Sequence, residues 1–478
     1  MNYSMIRYIL CRVLEFTGIF LLLPCIVATI YREKSGYAFF ITMFLCFLTG
    51  IIGKQRKPAS KVFYAREGFV TVSLSWIMIS AIGAMPYYIS GEIPRYTDAL
   101  FETVAGLSTT GGSILSNVES LSYSVQFWRM FTHWIGGMGV LVLILAILPL
   151  SGSYNMHLMR AESPGPSVGK LVPRIKHTAM ILYSIYIFFT IIQVISLLVA
   201  GLSPYEALTL SFSTMGTGGF GLRNSSMADY SRTVQLIVMV FMLFAGINFN
   251  IYYLFLIKRP KEALANEELK VFLGIIAVVT LLIGWDIGSY FIGRKEALFQ
   301  ACFQVISIIT STGFTTMDFG RWPQFSQSLI FAVMLMGACA GSTGGGFKIS
   351  RVIILFKTAK NELAHVVHAR SVKRVRYNGH ALSGEVIKSV QGYLVIYITV
   401  LIISFLLLSF NQFDFTTTMT AVVTSLNNVG PGLGQIGPAG SFAIFNDFSK
   451  YVLMFDMLIG RLELIPMLIL FAPSTWKR

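Results

Sequence analysis

Ten apolar stretches recur along this sequence, near residues 5–30, 37–53, 69–90, 126–150, 178–201, 232–257, 271–292, 325–357, 386–410 and 448–472. A bilayer crossing takes roughly 20 predominantly apolar residues as a helix, and within lipid a helix satisfies its own backbone polar groups. The expected fold class is an all-α polytopic membrane protein. Of the 478 residues 55% are hydrophobic and only 12% charged, too few charges to cover a soluble chain of this length. The first stretch has no A-x-A-like cleavage site behind it and reads as a retained first helix, not a signal peptide. The eighth is too long for one crossing and is interrupted by GACAGSTGGG (Gly337 to Gly346), so two half-helices joined by a loop are expected there.

The formal net charge of +15 raises the question of a nucleic-acid partner. The basic residues answer it by position: they gather in Lys54 to Gly68, Arg160 to Lys176, Lys258 to Lys270, Lys357 to Lys388 and the terminal WKR. In a ten-span arrangement all of these fall on one side, together with both termini, and the positive-inside rule makes that side the cytoplasm. Membrane lipid headgroups, not nucleic acid, are the expected anionic neighbours. The five cysteines are scattered and mostly lie inside apolar segments, where they read as small hydrophobes and not as a disulfide or metal framework.

On the opposite side several loops share a pattern. Asp98 to Gly112 reads DALFETVAGLSTTGG, Glu206 to Phe220 EALTLSFSTMGTGGF, Gln300 to Phe314 QACFQVISIITSTGF, and Thr417 to Gly432 TTMTAVVTSLNNVGPG. Each is a short amphiphilic stretch that ends in small polar residues and glycine. Aligning Gly111, Gly218, Gly313 and Gly430 gives separations of 107, 95 and 117 residues, a repeat of about a hundred residues. Irregular backbone at membrane depth persists only where protein or a water-filled cavity satisfies it. Any one such loop alone is equally well a helix break buried between packed spans. Four at corresponding positions point to a cation filter, in which backbone carbonyls replace the water an ion sheds and glycine allows the chain to aim them. Asn427, Asn428, Thr109, Thr110, Thr217 and Thr312 are expected to add neutral dipoles facing the pore.

With LNNVGPGLG, GACAGSTGGGFK, REGF (Arg66 to Phe69), RAESPGP (Arg160 to Pro166) and GRLE (Gly460 to Glu463) added to the four loops, the whole chain resembles the Trk/Ktr/HKT superfamily of potassium transporters, and within it the bacterial TrkH type. The resemblance implies two leading transmembrane helices over 1–53 and four helix–pore loop–helix repeats around one central pore, over 54–157, 158–264, 265–360 and 361–478, with the second helix of the third repeat broken. It implies a K+ filter at Thr109, Thr110, Gly111, Gly216, Thr217, Gly218, Ser311, Thr312, Gly313, Asn428, Val429 and Gly430. Some plant members that prefer sodium carry serine at the first filter glycine, which here is Gly111. The family's gating loop matches Gly341, Ser342, Thr343, Gly344, Gly345, Gly346 and Lys348, and its pore arginine matches Arg461. The resemblance further implies a homodimer, a cytosolic TrkA-type ring that binds the regulatory nucleotide, K+ as the transported ion with no organic cofactor on this chain, and the bacterial inner membrane. No enzymatic activity is implied.

Arg461 has a second reading, a structural salt bridge with Asp456 or Glu463, and both readings can hold together. GSTGGG from Gly341 fails as a phosphate loop, because Phe347 stands where that motif needs lysine and no strand precedes it. His365 and His368 lie in a basic stretch without further ligands and read as solvated. The principal rival function is a proton- or sodium-coupled secondary cation transporter, which needs titratable groups along its path. Few intramembrane carboxylates are available: Glu15, Asp286, Asp456 and Glu463. A polytopic membrane enzyme would need a cluster of acid, base or metal-binding groups, and the sequence holds none of the usual patterns.

Overall fold

The computed structural model describes residues 1–56, 58, 63–139, 175–368 and 374–476. The RAESPGP segment, most of the basic stretch Arg160 to Lys176, the end of the fourth apolar stretch and the last two residues lie outside the described residues.

The protein is helical, and its one described strand pairing is a small hairpin, Arg376–Tyr377 against His380–Ala381. Helices Tyr3–Tyr31 and Gly36–Lys54 form the leading pair, turned at Arg32 in the left-handed region (φ 57°). They pack closely through glycine: a side chain at Gly50 would meet Glu15 and Cys11, and one at Gly53 would meet the Cys11 sulfur. Membrane helices gain little hydrophobic energy against one another, so this close van der Waals approach through small residues holds the pair.

Four units follow, each a long helix, a short pore helix, a loop and a further helix, arranged around one central pore. The long helices are Ala65–Ser90, Ile175–Val199, Glu267–Asp286 and Gly384–Leu408. The pore helices are Tyr96–Leu107, Pro204–Met215, Arg294–Ile309 and Phe415–Leu426. Local sequence sets their starts. Ser203 accepts from the Glu206 amide and is followed by Pro204 at the first helical position, and Asp414 accepts from the Thr417 amide. The Thr417 hydroxyl, and after it the Thr417 amide, holds the Asp414 carboxyl below its ordinary range.

The helices that directly follow the four loops are the surprise. Tyr123–Gly137, Arg232–Gly246, Gln324–Met336 and Asp447–Arg461 have only 15, 15, 13 and 15 residues. At 1.5 Å per residue each is about 20–22 Å long, short of a bilayer core of ~30 Å. The expected break in the eighth stretch is present, with the chain irregular between Met336 and Ile349. Three stretches read as unbroken crossings are not; in the fourth the helix ends at Gly137, and the remainder beyond Gly139 lies outside the described residues. The sixth turns by 89° between Arg232–Gly246 and Phe249–Leu256, where Ile247 is extended and Asn248 caps the second piece by accepting from the Asn250 amide. The tenth stops at Arg461, where Glu463 and Leu464 both adopt positive φ before a short helix at Ile465–Leu468.

Candidate functional site

The four pore helices end in the same way. The second residue past each end, just after the C-cap, is left-handed: Thr109 (φ 57°), Thr217 (54°), Ser311 (54°) and Asn428 (53°). Its amide donates to the carbonyl three residues back, and the next amide donates five residues back: Thr110 to Ala105, Gly218 to Ser213, Thr312 to Ser307 and Val429 to Thr424, at 2.8–2.9 Å. These are Schellman ends, which use up the last helical carbonyls and turn the chain sharply. Glycine normally holds the left-handed place, so four β-carbon residues there each cost about 1 kcal/mol or more. The surrounding packing must supply that.

A glycine with positive φ then follows in every loop: Gly111 (74°), Gly219 (81°), Gly313 (83°) and Gly430 (97°). This fixes the register of the second loop one residue later than glycine alignment had it. Gly219 is the conformational counterpart of Gly111, while Gly218 matches Thr110, Thr312 and Val429, and Gly216 ends the helix as its C-cap.

These glycines are where the loops meet. A β-carbon on Gly111 would lie 1.9 Å from the Gly218 carbonyl oxygen, and one on Gly219 would lie 2.0 Å from that of Thr312. On Gly313 it would lie 2.2 Å from the Val429 oxygen, and on Gly430 2.6 Å from that of Thr110. The contacts run first loop to second, second to third, third to fourth and fourth back to first. A closed ring of backbone contacts results, made by carbonyls at corresponding positions of the four loops. The pore helices deliver their negative C-terminal ends to this ring, a field that favours a cation.

Several of the polar side chains brace the ring, while Thr109 Oγ1, Asn427 Oδ1 and Asn428 Oδ1 are buried without a hydrogen-bond partner among the described residues. The Asn428 amide donates to Thr110 Oγ1 (3.0 Å) and to the Met457 carbonyl (2.8 Å), linking fourth loop to first. Asn427 donates to the Tyr397 hydroxyl, Thr217 Oγ1 to the Gly216 carbonyl, and Thr312 shares a hydrogen bond with Thr310.

Directly against this ring lies the Gly337–Lys348 segment. The Gly345 amide donates to Ser311 Oγ (2.6 Å). A β-carbon on Gly344 would meet the Thr310 carbonyl at 2.7 Å, and one on Gly345 would meet Asn428 and the Asn427 carbonyl. Only glycine lets the segment sit this close. Gly341 (φ 72°) accepts from the Phe249 amide, Ser342 Oγ donates to the Cys339 carbonyl, and the Thr343 amide donates to Ala245. A side chain at Gly346 would press on Gly337, and Lys348 Nζ donates to the Gly344 carbonyl. Glu268 holds both ends of the segment by accepting from the Ala340 and Ser350 amides at 2.7 and 3.0 Å.

Arg461 reaches the same segment. Its guanidinium donates to the Thr343 carbonyl (2.7 Å) and to the Gly136 and Gly137 carbonyls (2.5 Å each) at the C-terminal end of Tyr123–Gly137. The alternative salt bridges go elsewhere: Asp456 accepts from Ser404, and Glu463 pairs with Arg351. His365 and His368 close the helix that leaves this segment, and no metal-binding group of three His, Cys, Asp or Glu occurs among the described residues.

Sequence reasoning missed Glu102, Arg129, His133 and Glu268, all buried here. The signal was an ionisable group within an apolar segment, which at membrane depth is expensive and therefore informative. His133 illustrates the register. Its ring fills the place of a side chain at Gly218, 2.0 Å from where that β-carbon would lie, and the Gly218 backbone is otherwise ordinary. Gly218→Ala is therefore expected to abolish ion flux in liposomes and to regain it when combined with His133→Ala. Gly219→Ala meets backbone, and no side-chain trimming should rescue it. Equal behaviour of the two double variants would return the ring contact to Gly218.

A sequence profile of the TrkH family, described as cation transport protein, matches residues 35–478. The chain is similar to the Trk system potassium uptake protein TrkH of Salmonella typhimurium, 38% identical over 97% of each chain. It is also similar to the protein of that name from Vibrio parahaemolyticus, 36% identical over 100% of each. Its fold is similar to the crystal structure of the potassium transporter TrkH from Vibrio parahaemolyticus, with a TM-score of 0.89 and 33% identity over 100% of both chains. Fold and sequence together make this chain a member of the TrkH cation transport family, a family of transporters and not of enzymes.

Proposed function

We propose that this chain is the potassium-translocating pore subunit of a Trk-type uptake system. The observation that carries the reading is the closed ring of four glycine contacts, in which each loop presents a carbonyl to its neighbour. Oxygen dipoles without fixed charge suit a weakly hydrated monovalent cation. The ion is coordinated by Thr109, Thr110 and Gly111, by Thr217, Gly218 and Gly219, by Ser311, Thr312 and Gly313, and by Asn428, Val429 and Gly430. K+ moves inward down the membrane potential, about 2.3 kcal/mol per charge per 100 mV.

The Gly341 to Lys348 segment is the gate and Arg461 its tether, adding a positive charge below the filter. The repeats run over 54–157, 158–264, 265–360 and 361–478, after a leading pair over 1–53. The working unit is a homodimer in a bacterial inner membrane with both termini cytoplasmic. It docks on a cytosolic TrkA-type ring whose nucleotide controls the gate through the basic cytoplasmic face.

The rival is coupled transport, which needs a free titratable group on the path. Of the carboxylates named for it, Glu15 pairs with Arg12 and Lys54 and Glu463 with Arg351, Asp286 accepts from Ser326, and Asp456 accepts from Ser404 through one oxygen while its other oxygen is buried without a partner among the described residues. Purified protein in liposomes should carry K+ with a reversal potential that follows the K+ gradient and ignores a pH gradient. A reversal potential that moves with pH at fixed K+ would transfer the reading to the coupled transporter.

A further inference from the structure

Each loop must be held as it leaves the ring, and three of the four are held by their own pore helix. Glu102 accepts from Ser113 Oγ (2.9 Å) and from the Ile114 amide (3.1 Å). Gln304 donates to Thr316 Oγ1 (3.2 Å). Thr420 Oγ1 donates to the Leu433 carbonyl and accepts from the Leu433 amide, at 3.2 and 3.1 Å.

The second loop differs. Glu102 and Gln304 each stand seven residues before the left-handed turn, and in the second pore helix that place is taken by Leu210, which has no polar group to offer. Among the described residues no side chain of that helix bonds Phe220, Gly221 or Leu222; it reaches the chain next at Arg223, whose side chain pairs with Glu206 at 3.5 Å. The clamp comes from the neighbouring unit. Arg129, on the helix after the first loop, donates to the Gly221 carbonyl (3.1 Å), and its guanidinium lies 3.7 Å over the Phe220 ring. That ring also stacks with His133, at 4.2 Å between centroids. Arg129 is itself fixed by Glu102 through a 2.5 Å ion pair, with both side chains almost wholly buried.

We propose that Glu102 and Arg129 are specificity-determining positioning residues: one buried pair sets the spacing of two adjacent quarters of the ring, Glu102 through the first loop and Arg129 through the second. The inference rests on the reading of the four loops as the ion filter. Neither residue touches the ion. Each fixes a carbonyl-bearing backbone, so the quantity they govern is discrimination between ions, not the presence of a passage. A guanidinium is needed because one side chain must reach the carboxylate and the Gly221 carbonyl together while covering an aromatic face, which a single ammonium cannot do.

The test is the K+ to Na+ permeability ratio, from reversal potentials of the full chain in planar bilayers, for Arg129→Met, Arg129→Lys and Glu102→Gln beside Gly111→Ser. Arg129→Met is expected to lower the ratio by about tenfold, the factor that one charge-assisted hydrogen bond commands. Arg129→Lys should lower it less, and Glu102→Gln should lower it although glutamine still accepts from Ser113. If Arg129→Met does not fold, the two conservative variants decide. A wild-type ratio in these variants, with only the amount of folded protein or the flux reduced, overturns the proposal. Should Gly111→Ser move the ratio while they do not, the filter reading stands and this one falls. Should none of the four move it, both fall.

Discussion

Gly111→Ser is expected to abolish the preference for K+ over Na+. The β-carbon would need to occupy a point 1.9 Å from the Gly218 oxygen, and the backbone there has φ 74°. A contact of carbon with oxygen needs more than 3 Å, so the first and second loops must part by over an ångström or the turn must rearrange. Holding a non-glycine residue at positive φ adds about 1–2 kcal/mol more. Selection between two alkali ions depends on differences of only a few kcal/mol in how well carbonyls replace water, where ~1.4 kcal/mol is a factor of ten. A ring opened on one side loses that margin. The measurement is the reversal potential with K+ and Na+ on opposite sides of a planar bilayer. An unchanged ratio in correctly folded protein would remove the four loops from any role in selection.

Arg461→Ala is expected to raise resting K+ flux, in the absence of any cytosolic partner, by about tenfold or more. The wild-type guanidinium ties the Thr343 carbonyl of the intramembrane segment to the end of Tyr123–Gly137. Hydrogen bonds from a charged donor contribute about 1.5–3 kcal/mol each, and a cation at a helix C-terminus adds its interaction with the dipole. Losing these frees the segment from its place under the ring and removes a positive charge from the ion's way. Both changes act in one direction. Arg461→Lys separates them, since it keeps the charge and loses the fork: flux near that of Arg461→Ala assigns the effect to tethering, and flux near wild type assigns it to repulsion. Flux that falls or stays level in Arg461→Ala ends the gating role of this contact, as measured by 86Rb+ or K+ uptake into liposomes.

Much of this architecture was legible in the sequence, for physical reasons that also mark where it was not. Hydrophobic runs identified the long apolar helices. The four glycine loops were visible because a Gly-rich break in lipid needs a purpose. The second loop misled by one place because MGTGGF offers Gly216, Gly218 and Gly219, and composition alone does not say which of them must be left-handed. The bend after Gly246 was hidden inside a continuous apolar run, since hydropathy records burial in lipid and not direction. The stop at Arg461 was equally hidden, because the strained residues there are Glu463 and Leu464, neither of them a turn former. The second reading of Arg461 paired it with the nearby Asp456 or Glu463, yet its described acceptors include carbonyls 118 and 325 positions away in the chain. Such partners are tertiary and leave no local trace.

Because one polypeptide supplies every side of the ring, its four sides are chemically unlike. A pore assembled from four copies of one subunit multiplies any substitution by four and keeps its symmetry. Here a single codon change falls on one wall and reaches the others only through the contacts that wall shares with its neighbours.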